Sequence, residues 1–258
     1  MPAKRLTECG VVVLGGTAGV GLESAAQFAE QGSRTVLVGR NADRGEHACD
    51  VVRRRVPDAE VSFVRGDCAD PAEAMRAERT CRDRLGTIDV LMCTTGPSEP
   101  PRLLHDIPVE AFRPRLEEII LPPLHMIQAV LPGMREQRGG AIVAVASDAA
   151  KVATPGETLV GAAMAAIVMF CKAAALEVKR EGVRINLLTP SLIADTPGAA
   201  LIAGESFSAK MFERAASLAH LGVAEPSDLA AMAVYLAGPA ACRITGQAVS
   251  INGGISVA

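Results

Sequence analysis

One stretch, from Gly10 to Arg40, restricts what this chain can fold into more than any other. It reads GVVVLGGTAGVG and then LESAAQFAEQGSRTVLVGR. Val11, Val12, Val13 and Leu14 form a continuous apolar run, as a parallel strand covered on both faces requires. Gly15, Gly19 and Gly21 follow at once. In a nucleotide-binding turn the first glycine lets the chain reverse and the second lets backbone approach a diphosphate. The third lets the next helix pack against the sheet. Leu22, Ala25, Ala26, Phe28 and Ala29 give that helix an apolar face, and Gly32 ends it before a second apolar run. A helix that starts in such a turn aims its free N–H groups and its dipole at whatever anion sits there. Strand, turn, helix and strand in this order predict a dinucleotide site.

The alternation continues along the chain. The pattern predicts a helix over 41–54, a strand over 61–64, a helix over 71–85 and a strand over 88–93, then a loop at PSEPPRLL. A mostly helical segment over 108–134 is expected to be interrupted near Pro122 and Pro123. A strand over 141–146 and an Ala-rich helix over 159–180 come next, then a strand over 184–188. A loop of low order is expected through Ser208, then helices over 209–218 and 226–237 and a last strand over 248–251. Alternating strands and helices imply an α/β fold with one doubly wound parallel sheet. With no linker or repeat, residues 1–258 read as a single dinucleotide-binding domain with a small substrate lid near 195–218.

Composition narrows the function. Hydrophobic residues make up 49% of the 258 residues and aromatics only 3%, so the core must be built from Ala, Val, Leu and Ile. The net charge of −3 gives no electrostatic reason to expect nucleic acid or an anionic membrane. The seven cysteines show no CxxC spacing, which argues for a reducing, cytoplasmic location and against a metal site or a disulfide framework. The N-terminal apolar run is too short for a signal peptide. The longest weakly polar run, Leu159 to Cys171, falls short of the roughly 20 residues of a membrane span and is expected to be a buried helix.

Four further motifs stand in order. They are RGDCAD with Asp67, the quartet Cys93, Thr94, Thr95 and Gly96, then RINLLTPS ending in Pro190 and Ser191, and the tail ITGQAVSINGG. With the glycine turn they make the chain resemble the classical short-chain dehydrogenase/reductase family over nearly its whole length. That family carries TGxxxGxG, an acidic adenine contact, NNAG, RVNxxxPG and ITGQxxxVDGG at these places. The resemblance implies a Rossmann-like fold and a nicotinamide dinucleotide. It implies cofactor contacts from Gly15, Thr17, Gly19, Val20, Gly21, Arg40, Asn41, Asp67, Cys68, Thr95, Gly96, Pro190 and Ile193.

The same resemblance breaks at the catalytic centre. Family members carry Asn, Ser, Tyr and Lys, with Tyr and Lys as YxxxK at the start of the long helix. Ser147 matches the serine and is the catalytic candidate, but Val160 stands at the tyrosine position, Met164 at the lysine position and Ile119 at the asparagine position. The tyrosine phenol protonates the substrate oxygen, and the lysine lowers its pKa and holds the cofactor ribose. Valine and methionine do neither. The single tyrosine, Tyr235, lies in a late helix, and Lys172 lies roughly 12 Å beyond Met164 along the helix.

Asp148, Lys151 and Glu157 border the expected pocket as candidate acids or bases, with solvated loop charges as the plainer reading. Cys93 reads as a small buried residue rather than a nucleophile, and His125 as a satisfied core histidine. At the end of the second strand, where a carboxylate would select NAD(H), stand Gly39 and Arg40, with Asn41 and Arg44 after them. An arginine there pairs with a 2′-phosphate, so NADP(H) is the expected cofactor, with NAD(H) the alternative. The partners expected are an unidentified, partly apolar small molecule and further subunits, either copies of this chain or a homologue. Three readings stay open: an atypical oxidoreductase, a cofactor-binding pseudoenzyme subunit paired with an active homologue, and a non-redox enzyme reusing the fold.

Overall fold

In the computed structural model, which describes residues 4–204 and 206–258, every apolar run read as a strand is one. These are β1 (Gly10–Leu14), β2 (Arg34–Gly39), β3 (Val61–Arg65), β4 (Val90–Cys93), β5 (Gly140–Val145), β6 (Val183–Pro190) and β7 (Ala248–Ile251). All pair in parallel, in the order β3-β2-β1-β4-β5-β6-β7. The order reverses between β1 and β4, and a crevice opens there beyond the carboxyl ends of the strands.

The helices are α1 (Gly19–Glu30), α2 (Ala42–Arg55), α3 (Pro71–Leu85), α4 (Phe112–Glu136), α5 (Thr158–Val178), α6 (Pro197–Ala203), α7 (Ser206–Leu218) and α8 (Pro226–Ala237). Strand side chains alternate between two cores. Val12 and Leu14 pack with residues of α3, α4 and α5, while Val11 and Val13 pack with residues of α1, α2 and α8. That is why β1 has to be apolar at every position.

Three expectations need correction. First, α4 runs through Pro122 and Pro123 without a break. An interior proline costs about 3 kcal/mol, but here both prolines are buried, and Ile119, Met126, Ile127, Val130 and Met134 anchor the helix in the core on either side. Second, the segment through Ser208 is not a loop: α6 begins at Pro197, its first turn capped by Thr196 Oγ1 accepting from Ala199 N at 3.1 Å, and α7 begins at Ser206.

Third, the apolar stretch of α5 is longer than Leu159 to Cys171. Lys172 interrupts it only briefly, and an 18-residue stretch within Thr158–Glu181 reaches a mean hydropathy of 2.1, long and apolar enough by composition to cross a membrane. Its Ala163, Met164, Ile167, Val168, Cys171, Ala174 and Ala175 are nonetheless buried in the core shared with α4 and β6, the packing of a central helix.

Candidate functional site

A cavity of about 490 Å³ fills the crevice, walled by the segments that leave β1, β2, β3, β4, β5 and β6. Its floor is the glycine turn. Gly15 (φ +79°) and Gly19 (φ +50°) hold left-handed backbone that makes the reversal possible. Gly21 does not line the cavity, because it sits against the Gly15 carbonyl and lets α1 reach the sheet. Ala18, the N-cap of α1, offers no side-chain cap, so the first N–H groups of α1 are left for a ligand.

Beside the turn, Thr94 Oγ1 donates to the Leu14 carbonyl at 2.8 Å and ties β4 to it. Its neighbour Thr95 has a buried Oγ1 without a hydrogen-bond partner. An orphaned hydroxyl, an uncapped helix start and a glycine floor fit a dinucleotide, whose diphosphate the turn would hold and whose ribose or amide the hydroxyl would meet.

At the β2 end, Gly39, Arg40, Asn41 and Arg44 form the wall. Asn41 Oδ1 is occupied in capping α2, accepting from Arg44 N at 2.9 Å. Arg40 is exposed and forms no ion pair among the described residues, while Arg65 Nε donates to its carbonyl at 3.2 Å. No carboxylate leaves β2, and two guanidinium groups line this end. Asp67 faces them beyond β3, with Oδ1 accepting from Ala69 N at 3.1 Å. Cys68 borders the same wall, its thiol pushed up to about 12 by burial and then by the field of Asp67. His125 Nδ1 lies 2.9 Å from the Cys68 carbonyl, as a satisfied histidine would.

Thr17 lies beside Gly39 at the β2 end, and Val20, Gly96, Pro190 and Ile193 line the cavity with Ser147, Glu157, Val160 and Met164. Ser147 Oγ accepts from Ala149 N at 3.1 Å, which leaves its own O–H available to the cavity. Ile119 is not at the site: it is 2% exposed in the core. Cys93 is likewise buried and does not line the cavity, its pKa raised chiefly by burial.

Of the three loop charges only Glu157 lines the cleft. Asp148 is buried beneath the C-terminal segment, accepting from Ser256 Oγ at 2.8 Å and Asn252 Nδ2 at 3.4 Å. Lys151 Nζ donates to Ser250 Oγ at 2.6 Å and to the Ala258 main-chain oxygen at 2.7 Å. Both serve to fasten the segment after β7. Glu157, read first as a solvated charge, is instead half-buried, and burial followed by the field of Asp148 pushes its carboxyl up to about 7. The ceiling of the cleft, Thr196, Pro197, Ile202 and Phe212, falls within the stretch 195–218 read as a lid, although the sequence reading missed helix α6 there. Thr196 followed by Pro197 was a usable helix-start signal for it.

A family model described as enoyl-(acyl carrier protein) reductase matches residues 15–256. Among curated proteins, the uncharacterised oxidoreductase YxbG of Bacillus subtilis is 28% identical over 257 residues, covering 97% of this chain and 92% of that protein. A 7alpha-hydroxysteroid dehydrogenase of Escherichia coli is 27% identical, covering 94% and 92%. The crystal structure of levodione reductase superposes with a TM-score of 0.90 at 24% identity, covering 96% of this chain and 97% of that one, a likeness of fold.

Proposed function

The chain belongs to the short-chain dehydrogenase/reductase family of oxidoreductases, and on that premise we propose that it binds NADP(H) in the crevice and acts on a small, partly apolar carbonyl or alcohol. When bound, the nicotinamide supplies or takes up a hydride. The turn from Gly15 to Val20 would hold the diphosphate, Asp67 the adenine, Thr95 the ribose or amide, and Ser147 O–H the substrate oxygen. The observation that carries the choice of NADP(H) is the end of β2, where Arg40 and Arg44 line the cleft and no carboxylate stands. A guanidinium there gains a charge-assisted bond to a 2′-phosphate. The lid of α6 and α7 would close over the substrate with Ile202 and Phe212.

Calorimetric titration tests this directly. NADPH is expected to bind more tightly than NADH, and Arg40→Asp to weaken NADPH by roughly 10- to 100-fold, the worth of about 1.5–3 kcal/mol for a hydrogen bond to a charged group. Preference for NADH in the unaltered protein would overturn the assignment.

We further propose association with a second copy through the outer face of α5. Ala162, Ala166, Met169, Ala173 and Leu176 are exposed there, Met169 and Leu176 each at 65%. Sedimentation at micromolar concentration should show a dimer or larger species, and Met169→Glu should shift it toward monomer; a monomeric unaltered protein would refute it.

The presence of Val160 and Met164 in the cleft favours a second reading, a cofactor-binding subunit without turnover. Tight NADPH binding with no reduction of any carbonyl would favour that reading.

A further inference from the structure

The cleft lacks the family's phenol, yet a carboxyl beside the position of that phenol lines it. Glu157 stands immediately before α5 and shares a stripe with Val160 and Met164 at i, i+3 and i+7, so it sits one turn ahead of the missing tyrosine. All three line the cavity together with Ser147. The Glu157 carboxyl forms no hydrogen bond or ion pair among the described residues, so nothing in the fold consumes it. Its cover is apolar. The preceding Gly156 (φ +85°) carries the Phe207 ring of α7 against its backbone, and the following Leu159 is buried.

The charged groups around it are few. Asp148, on the turn after β5, is held by Ser256 and Asn252, and Lys151 on the same turn is held by Ser250 and Ala258. From α4, Glu118 accepts from Ser98 Oγ at 2.9 Å and Arg115 pairs with Glu99. Arg102, like Glu99 and Arg115, lines the small adjoining cavity. None of these cations is bonded to Glu157, and α6 and α7 present Ile202 and Phe212 to the cleft.

We infer that Glu157 is the general acid–base residue of this cleft, giving its carboxyl proton to the oxygen of a carbonyl substrate held by Ser147; this rests on the oxidoreductase reading above. As hydride arrives at the carbonyl carbon, the C=O π pair moves to oxygen, which Ser147 O–H steadies and the Glu157 proton satisfies. The carbonyl is reduced to the alcohol while the reduced nicotinamide is oxidised. The Glu157 carboxylate regains its proton from water. In the oxidising direction the same carboxylate removes the alcohol proton. A carboxyl held near 7 by burial, as here, is matched to that task at neutral pH.

The test uses the full chain with NADPH and two carbonyl probes, diacetyl and ethyl acetoacetate, on the unaltered protein, Glu157→Gln and Glu157→Asp. In the NADP⁺-loaded protein, the infrared band of a protonated carboxyl should titrate near pH ~7 and be absent in Glu157→Gln. Reduction by the unaltered protein should fall as pH rises through that value. Glu157→Gln should lose about 10²- to 10⁴-fold in kcat, with a flat pH profile and unchanged NADPH affinity, and Glu157→Asp should recover part. If Glu157→Gln binds NADPH normally and keeps both rate and pH profile, the inference falls while the oxidoreductase reading stands. An unaltered protein that binds NADPH but reduces neither probe overturns it too. Failure of the unaltered protein to bind NADPH or NADH removes the underlying reading, and the inference with it.

Discussion

Replacing Val160 by tyrosine and Met164 by lysine in one variant is expected to raise kcat/KM for carbonyl reduction by about 10²- to 10⁴-fold, the usual worth of a placed general acid. Both positions already line the cavity, one turn apart on the same face of α5. The backbone that would carry the family's pair is therefore in place, and only the side chains are missing. The cavity of about 490 Å³ has room for a phenol where Val160 is only partly buried.

The lysine is the harder change. Met164 is 4% exposed, and an ammonium moved out of water destabilises the fold unless it is paired. Here the Glu157 carboxyl on the same stripe and the ribose of a bound dinucleotide offer partners. The single variants separate the parts. Val160→Tyr alone carries a phenol with an ordinary pKa near ~10 and gains less. Met164→Lys alone lowers the pKa of Glu157 by ion pairing and, on the inference above, slows reduction at neutral pH. Steady-state kinetics with diacetyl, alongside NADPH titration and urea unfolding, would check all three. A folded, NADPH-binding double variant with no gain would mean that the cleft does not set a carbonyl against the cofactor, and that the substrate belongs to another chemical class.

The elements that local chemistry specifies were legible from the sequence. Helix α3 starts at Pro71 behind Asp70, whose carboxylate accepts from Glu73 N at 2.9 Å, and Gly86 at φ +75° stops it. Both ends are written in the residues that make them. Helix α8 is bounded in the same way by Pro226 and Gly238. What tertiary packing decides was not legible. The proline pair of α4 reads locally as a break, and the burial of Ile119 and Met126 on either side keeps the helix continuous through it. Helix α6 is too short for a periodic pattern, and the signal was confined to Thr196 and Pro197.

At the site, residue types at the strand ends were readable because parallel topology brings those ends together. The character of Glu157 was not. It depends on Phe207, about fifty residues away in sequence, closing over Gly156, and on Asp148 being fixed nearby by the C-terminal segment. A carboxylate next to a glycine turn looks solvated until its cover is known.

Gly21→Ala is expected to cost about 3 kcal/mol or more of folding stability and to abolish NADPH binding, although alanine is a better helix former than glycine. The added Cβ would overlap the Gly15 carbonyl oxygen and stand 2.9 Å from the Gly15 carbonyl carbon. Neither side can yield cheaply. Gly15 N donates to the Val38 carbonyl at 2.9 Å, Thr94 N donates to the Leu14 carbonyl at 2.9 Å, and Gly15 is committed to φ +79°. Helix α1 would have to lift from the sheet, opening the core around Ala25 and Phe28, both fully buried.

Gly19→Ala provides the contrast. Its Cβ would find side-chain atoms of Thr196 and Pro197 at 3.4 Å, ordinary contact, with a left-handed φ of +50° costing about 1 kcal/mol. That variant should unfold close to the unaltered protein yet bind NADPH at least about 10-fold more weakly, because the methyl group stands where a diphosphate would approach. Urea unfolding and calorimetry on both variants separate a glycine required by packing from a glycine required by ligand. A Gly21→Ala protein as stable as the unaltered one would show that α1 can shift without loss, and the helix start could then no longer be the rigid anion site proposed.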